Sequence, residues 1–332
     1  MNILTPIARV EDVEPLVKSG ASEFFAGFIN REWIDLYNHI ETSRGNLQFT
    51  LNRRNGLWTN FIDETELQKL IQTIEQYRGT LFITLNAPFY TEKMFISLRR
   101  YLQKISSYGV KNLIVSDVGV MQLICEEFPE FEITVSCLAE IISCEAVEFY
   151  KQFNIKRVVF PRHISIQKLI NIAKKFPEIE LEFFGLCEKC LHDDGNCRSM
   201  HNLGAFCMEC WNGKYESVYG NNISNSERNA IMINEAFYKN WINGCTVDEN
   251  NNYGCSLCAI ASLSKVKNIS SVKLSGRGKS IDFIVKQVKM TRSIIEMCEC
   301  RNAKIDDIRS YVKKQFCESY CEDFSHCIMR GE

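Results

Sequence analysis

Leu181-Glu182-Phe183-Phe184-Gly185-Leu186-Cys187 is a short apolar run that ends in a cysteine. Similar runs, rich in β-branched and aromatic residues, recur along the chain and alternate with longer segments of helical periodicity. This alternation is typical of a parallel sheet that is buried on both faces. We predict eight strands, at Asn2–Thr5, Ser22–Gly27, Thr80–Asn86, Asn112–Ser116, Glu132–Ser136, Arg157–Phe160, Glu180–Phe184 and Ser271–Leu274.

The predicted strands are separated by segments that fit helices, with Asp63 and Ser143 as N-caps of two of them. Eight parallel strands with helices between them indicate an α/β fold of the (β/α)8 TIM-barrel type, and an open doubly wound sheet is the alternative. We predict a barrel over residues 1–297, with a cysteine-rich insertion at 185–260 after the seventh strand. Residues 298–332 form a predicted C-terminal extension that also contains cysteines.

Polar residues follow several of these strands, and in a barrel the loops after the strands carry the chemistry. For Asn86 the alternative to ligand binding is closing a turn, and for Asp117 it is capping a helix. Arginines near a barrel mouth need an anionic partner, either a ligand or a carboxylate of the protein. The predicted substrate-binding residues are Asn86, Asp117, Ser136, Arg162 and Arg277.

The chain has 16 cysteines, and a chain of 332 residues that is 45% hydrophobic does not need disulfides to bury a core. The thiols concentrated in the insertion therefore favour a soft-metal site. The paired spacing of these cysteines is compatible with zinc and with an iron–sulfur cluster. The wide separations between the pairs favour a cluster. Burial as small apolar side chains is the interpretation for Cys125, Cys137 and Cys144. The insertion's candidates are Cys187, Cys190, Cys197, Cys207, Cys210, Cys255 and Cys258.

Charge and hydropathy restrict the partners. The net charge is −2, and lysine and arginine are spread evenly, so the sequence shows no basic stripe that would indicate binding to a nucleic acid. The first residues do not resemble a signal peptide, and no apolar run is long enough to span a membrane. We therefore expect a cytoplasmic protein.

Nine segments carry a resemblance to a known family: Thr5–Pro6, Leu16 with Ser19–Phe24, Thr84–Asn86, Leu113–Gly119, Arg157–Arg162, Leu181–Cys187, Gly195–Cys197, Asn202–Cys210 and Val272–Ser280. Together they resemble the collagenase-like peptidase family, U-32, over roughly residues 1 to 300. The family is associated with putative proteases and with oxygen-independent hydroxylation of tRNA, ribosomal RNA and ubiquinone precursors, using a [4Fe–4S] cluster and prephenate as oxygen donor.

The resemblance implies a four-cysteine cluster. Its ligands would be Cys187, Cys197, either Cys207 or Cys210, and either Cys255 or Cys258. It also implies a small organic acid such as prephenate as ligand, and a second family subunit, an RNA or a peptide as further partners.

Two departures weaken the peptidase alternative. Phe184 stands where the family has a histidine, and Ser275 stands where it has an acidic residue. His163 is the one histidine at a predicted strand end, and the sequence shows no carboxylate motif beside it. A zinc-binding interaction module is the second alternative. Cys317, Cys321 and Cys327 form a possible second metal or cluster site in the C-terminal extension.

Overall fold

The structure is a computed structural model, and the part of the chain that it describes contains ten strands and ten α-helices. It describes residues 1–38, 47, 49–54, 56–188, 194–195, 224–225, 253–315 and 327–329. The strands are β1 (Asn2–Pro6), β2 (Glu23–Phe28), β3 (Asn60–Phe61), β4 (Thr80–Leu85), β5 (Asn112–Val115), β6 (Glu132–Val135), β7 (Ile155–Val159), β8 (Glu180–Glu188), β9 (Tyr253–Cys255) and β10 (Ile269–Leu274).

Eight of these strands close into a parallel barrel. The order around it is β1-β10-β8-β7-β6-β5-β4-β2, and the pairing of β1 with β2 closes the circle. Each barrel strand overlaps one of the eight strands predicted from the sequence, so the (β/α)8 fold is confirmed. The short β3 extends β2 on its outer side, and β9 pairs antiparallel with β8.

Helices fill the connections, as the periodicity predicted. Asp63 and Ser143 are confirmed as N-caps, because each side chain accepts a hydrogen bond from a backbone N–H three residues later. The predicted boundary between residues 297 and 298 falls inside the ninth helix. The helices are α1 (Val13–Lys18), α2 (Arg31–Tyr37), α3 (Glu64–Gln76), α4 (Glu92–Ser107), α5 (Val118–Glu127), α6 (Cys144–Lys151), α7 (Ile166–Lys175), α8 (Ile260–Leu263), α9 (Ile281–Arg301) and α10 (Ile305–Gln315). In the part of the chain described, no helix is both long and apolar enough to cross a membrane.

Side chains alternate between the two faces of each barrel strand. Phe24 and Ala26 belong to the large apolar core that strands and helices share, whereas Phe25 packs with apolar residues of neighbouring strands in a separate, smaller cluster. Glu23, Arg157, Glu182 and Lys273 are buried and pair with one another. The barrel interior is therefore a mixture of rings, aliphatic groups and paired charges.

Candidate functional site

A cavity of about 140 Å³ opens at the carboxyl ends of the barrel strands. Its walls combine apolar side chains from within the barrel with polar side chains from the loops. Four of the five predicted substrate-binding residues lie on it, so the strand ends converge as the fold requires. Its polar lining includes Arg53, Arg54, Thr84, Asn86, Ser136, Arg162, Glu188, Asp194, Lys273, Ser275 and Arg277.

Arg277 is a charged group that enters this cavity with few compensating contacts among the described residues. Its Nη2 donates to Asn52 Oδ1 at 2.8 Å and its Nη1 donates to Thr84 Oγ1 at 3.2 Å. Its Nε has no hydrogen-bond partner, and no carboxylate pairs with the guanidinium among the described residues. Burial, reinforced by the neighbouring Arg54, lowers the pKa of Arg277 to about 9. A buried guanidinium with neutral partners only is poised to bind an anion.

The position of Arg277 depends on a cluster of amide side chains. Asn52 Nδ2 donates to Asn60 Oδ1 at 2.8 Å, and Asn60 Nδ2 donates to the carbonyl oxygens of Arg54 and Gly56. Gly27 of β2 leaves room for the cluster. A Cβ there would lie 1.9 Å from Asn60 Oδ1 and 2.7 Å from Arg277 Nη1.

Sequence reasoning missed this cluster. Asn52 and Asn60 lie in the irregular stretch between β2 and α3, which carries no periodic signal. Gly27 was the available clue, because a glycine inside a strand often marks a close approach of other groups.

Arg162, which lines the same cavity, has its guanidinium occupied. Its Nη1 bonds to Asp194 Oδ1, its backbone N–H donates to Asp194 Oδ2 at 3.3 Å, and its Nε donates to Cys187 Sγ at 3.2 Å. The guanidinium also lies 5.2 Å from the centre of the Phe184 ring. Arg162 thus joins the end of β8 to the start of the insertion.

A second contact holds the same part of the insertion. Glu140, in the left-handed conformation with φ 54°, accepts a hydrogen bond from Gly195 N and lies 3.1 Å from His163 Nε2. Burial opposes ionisation of Glu140, but His163 and the Gly195 amide outweigh it and lower the pKa. The sequence shows no carboxylate motif beside His163, and its carboxylate neighbour Glu140 lies 23 positions earlier in the chain.

Glu188 supplies another carboxylate that the sequence did not reveal. It pairs with Arg54 at 2.8 Å and accepts a hydrogen bond from Ser275 Oγ at 2.9 Å. Although burial alone raises its pKa, these two partners and Arg162 lower it. Ser275 therefore has a carboxylate from β8 beside it.

The remaining predicted substrate residues make polar contacts at the mouth. Asn86 Nδ2 donates to Ser136 Oγ at 3.2 Å, and Asn86 Oδ1 accepts from Arg53 N at 3.2 Å. Asp117 caps α5 by accepting from Val120 N at 2.9 Å, which matches its structural alternative. Asp117 also lines a second, adjoining cavity of about 440 Å³.

Three cysteines of the insertion lie among the described residues. Cys187 is buried at the mouth, in one apolar cluster with Phe184 and Ile328. Cys255 is opposite Leu186 in the β8–β9 pair, so its side chain lies on the other face from Cys187. Cys258 is half-buried near Arg309.

The other proposed metal ligands, Cys190, Cys197, Cys207, Cys210, Cys317 and Cys321, lie outside the described residues. Cys327 is described, and it forms a β-bridge with Cys255. Within the described ranges, no three His, Cys, Asp or Glu side chains are grouped to hold a metal. Cys187 fits a metal-thiolate role in one respect, because an N–H bond to its sulfur is a contact that tunes clusters. A complete four-thiolate site would need cysteines from the rest of the insertion.

Among the described residues at the mouth, the thiols of Cys187 and Cys137 are not activated nucleophiles. Burial raises the pKa of Cys187 to about 12, although Arg162 opposes the shift, and burial also raises the pKa of Cys137. A cysteine nucleophile needs a lowered thiol pKa.

With this geometry in place, comparison with known proteins decides the family. The sequence matches the model of Peptidase family U32 over residues 9–331. The chain belongs to this family. The match includes the C-terminal segment, which lies beyond the predicted resemblance over roughly residues 1 to 300.

Curated relatives of this U32 chain include proteins named for RNA modification. It is 24% identical to "tRNA hydroxylation protein P" of Escherichia coli, with 89% of this chain and 67% of the relative covered. It is 26% identical to "tRNA hydroxylation protein P1" of Bacillus subtilis, with 71% and 54% covered. It is also 25% identical to an uncharacterized protease of Methanocaldococcus jannaschii, with 79% and 61% covered. The chain thus spans between about half and two thirds of the length of these relatives.

Proposed function

We propose that this U32 protein takes part in oxygen-independent hydroxylation of RNA in the cytoplasm, with an iron–sulfur cluster as cofactor and a small organic acid such as prephenate as oxygen donor. The names of the curated relatives support the reaction class. The observation that carries the proposal is Arg277, a buried guanidinium that faces the cavity with neutral partners only.

Arg277 would bind a carboxylate of the acid. A planar guanidinium with a free edge matches a carboxylate, and the attraction is strong because water is largely excluded. Phe25, Phe184, Ile114 and Val159 provide an apolar wall of the same cavity. The cavity therefore suits a compact acid that combines an apolar body with a charged group.

Arg162 would serve the cofactor more than the acid, because Asp194 and Cys187 already occupy its donors. The proposed cluster ligands are Cys187, Cys197, one of Cys207 and Cys210, and Cys258 or Cys255. Cys258 is the better fourth candidate, since the side chain of Cys255 lies on the other face of its strand pair from Cys187. When bound, such a cluster supplies electron transfer or Lewis acidity.

Anaerobic purification followed by iron and sulfide analysis tests the cofactor. We expect a brown protein that contains both elements, and Cys197→Ala should lose them because one missing thiolate exposes iron to water and oxygen. Cys300→Ala is the matched control, because Cys300 is exposed at the end of α9. A colourless zinc protein, or full iron content in Cys197→Ala, would contradict the proposal. Nucleoside mass spectrometry of RNA from cells that lack and regain the gene should then show a nucleoside that gains one oxygen atom.

A peptidase is the second candidate, and the His163–Glu140 pair is the observation that favours it. Glu140 is, however, also bound to Gly195, and the mouth thiols near this pair have raised pKa values. We therefore expect no hydrolysis of gelatin or casein by the cluster-loaded protein. Cleavage that disappears in His163→Ala while iron stays bound would establish the peptidase instead.

A further inference from the structure

The second cavity lies next to the first one and outside it. It has a volume of about 440 Å³ and is lined by residues after β4, β5 and β6. Arg53, Leu138 and Asp194 line both cavities. The two spaces therefore share a wall, and a ligand in the outer groove lies beside a ligand in the inner cavity.

The outer groove carries an exposed aromatic ring. Phe89 is 41% exposed and follows Pro88, whose ring restricts the backbone at this position. Phe49 meets Phe89 at right angles, with ring centres 6.0 Å apart and an interplanar angle of 78°. An edge-to-face contact of this kind fixes a ring in place while it leaves apolar surface exposed.

Polar groups line the same cavity as the ring. One carboxylate oxygen of Asp117 caps α5, and among the described residues no donor meets the other oxygen. The hydroxyl of Ser116, next to it, makes no hydrogen bond within the described part of the chain. Arg53, at the wall between the cavities, adds a positive charge.

We propose that this outer groove binds one unstacked base of single-stranded RNA, with the base on the ring of Phe89 and its polar edge against Ser116 and Asp117. The inference rests on the proposed function, which supplies RNA as the substrate class. Proteins commonly bind splayed-out bases by aromatic stacking combined with hydrogen bonds to the base edge. Arg53 would meet the backbone phosphate, a contact that adds affinity without sequence preference.

The two volumes agree with this division. A cavity of about 440 Å³ falls within the roughly 300–1,000 Å³ that is usual for ligand sites, whereas 140 Å³ admits only a small molecule. The base would occupy the groove and the acid the cavity, with the wall at Arg53 and Leu138 between them. This arrangement holds a base next to the donor without requiring the RNA to enter the barrel.

Fluorescence anisotropy of the purified protein with labelled single-stranded RNA oligonucleotides, one for each of the four bases, tests the site. Phe89→Ala should weaken binding of the preferred oligonucleotide by roughly 5- to 150-fold, the usual range for loss of one base-stacking ring. Phe89→Tyr, which keeps a ring, should retain the affinity. Phe149→Ala is the matched control, because Phe149 is a 51% exposed phenylalanine on α6 that lines neither cavity.

Asp117→Asn tests the edge contact separately. Asparagine caps a helix as well as aspartate does, so the fold is preserved while an acceptor becomes a donor. We expect the order of preference among the four oligonucleotides to change. No binding by the wild type, or equal affinity in Phe89→Ala, would overturn the proposal.

These outcomes are distinct from failure of the proposed function. If the protein contains no iron but binds RNA through Phe89, the groove proposal is supported and the hydroxylation proposal is contradicted. If hydroxylation is observed and Phe89→Ala binds RNA normally, the hydroxylation proposal is supported and the groove proposal is contradicted.

Discussion

Two buried arginines lie at opposite ends of the same barrel, and their surroundings differ in one respect. Arg157, near the amino ends of the strands, bonds to Glu23 at 2.8 and 2.9 Å and to Glu180 at 2.7 and 2.9 Å, with Glu182 at 3.3 Å. Arg277, near the carboxyl ends, bonds only to an amide and a hydroxyl in the described structure.

The carboxylates account for the opposite electrostatic behaviour of the two residues. Burial alone lowers the pKa of either guanidinium, but the three glutamates reverse the effect at Arg157 and raise its pKa. At Arg277 burial and Arg54 outweigh the opposing charge of Glu188, and the pKa falls to about 9. An arginine inside a barrel thus contributes to stability where carboxylates of the protein pair with it, and is available for ligand binding where they do not.

Removing Arg157, the arginine that is paired with carboxylates, should have the largest effect, and the effect is on stability. Arg157→Met leaves Glu23 buried without its main partner, whereas Glu182 keeps Lys273. Breaking a buried pair from one side costs about 3–5 kcal/mol of the free energy of unfolding. Urea denaturation measures it. Arg277→Met is the control, and it should be as stable as the wild type or more so, because it removes an uncompensated charge. Equal destabilisation by both substitutions would erase the distinction.

Changing the unmatched arginine should affect binding instead. Arg277→Lys keeps the charge but loses the planar fork, so calorimetry should show that prephenate binds about 1–3 kcal/mol more weakly. Arg99→Lys, on the outer surface and paired with Glu127, should bind prephenate as the wild type does. Undiminished affinity in Arg277→Lys would mean that the carboxylate binds elsewhere.

Filling the space at Gly27 should give the smallest effect of the three changes, a small loss of ligand affinity, and it tests the surroundings of Arg277 most specifically. In Gly27→Ala the new methyl group collides with Asn60 and Arg277, so we expect a loss of about 1 kcal/mol in prephenate affinity, comparable to one hydrogen bond. Gly109→Ala separates binding from stability. Gly109 has φ 91° and open space around its Cβ position, so alanine strains the backbone far from the cavity. It should lower stability and leave the affinity unchanged.

The sequence predicted the barrel and the places where strands end, because both follow from local patterns of apolar residues. Asn86, Ser136, Arg162 and Arg277 converge for that reason alone. The predicted strands differ from the observed ones mainly at their ends, as with β8, which continues to Glu188 because β9 pairs with it.

Partners could not be predicted in the same way. Arg277 meets Asn52 across 225 positions and Arg162 meets Asp194 across 32, and neither pairing leaves a periodic signal. Whether an arginine is matched by a carboxylate depends on such distant contacts. The sequence therefore assigned the same role to Arg162 and Arg277, although the structure gives them different surroundings.

The paired charges inside the barrel also bear on how the chain avoids misfolded alignments. If β7 slid by one residue against its neighbours, Arg157 would turn outward into the apolar layer beneath the helices, and Glu23 and Glu182 would lose it. A purely aliphatic interior would tolerate such a slip at far smaller cost, since one branched side chain replaces another. The charges that contribute to stability in the correct barrel thus destabilise barrels in which β7 is shifted by one residue. This effect does not require a bound ligand.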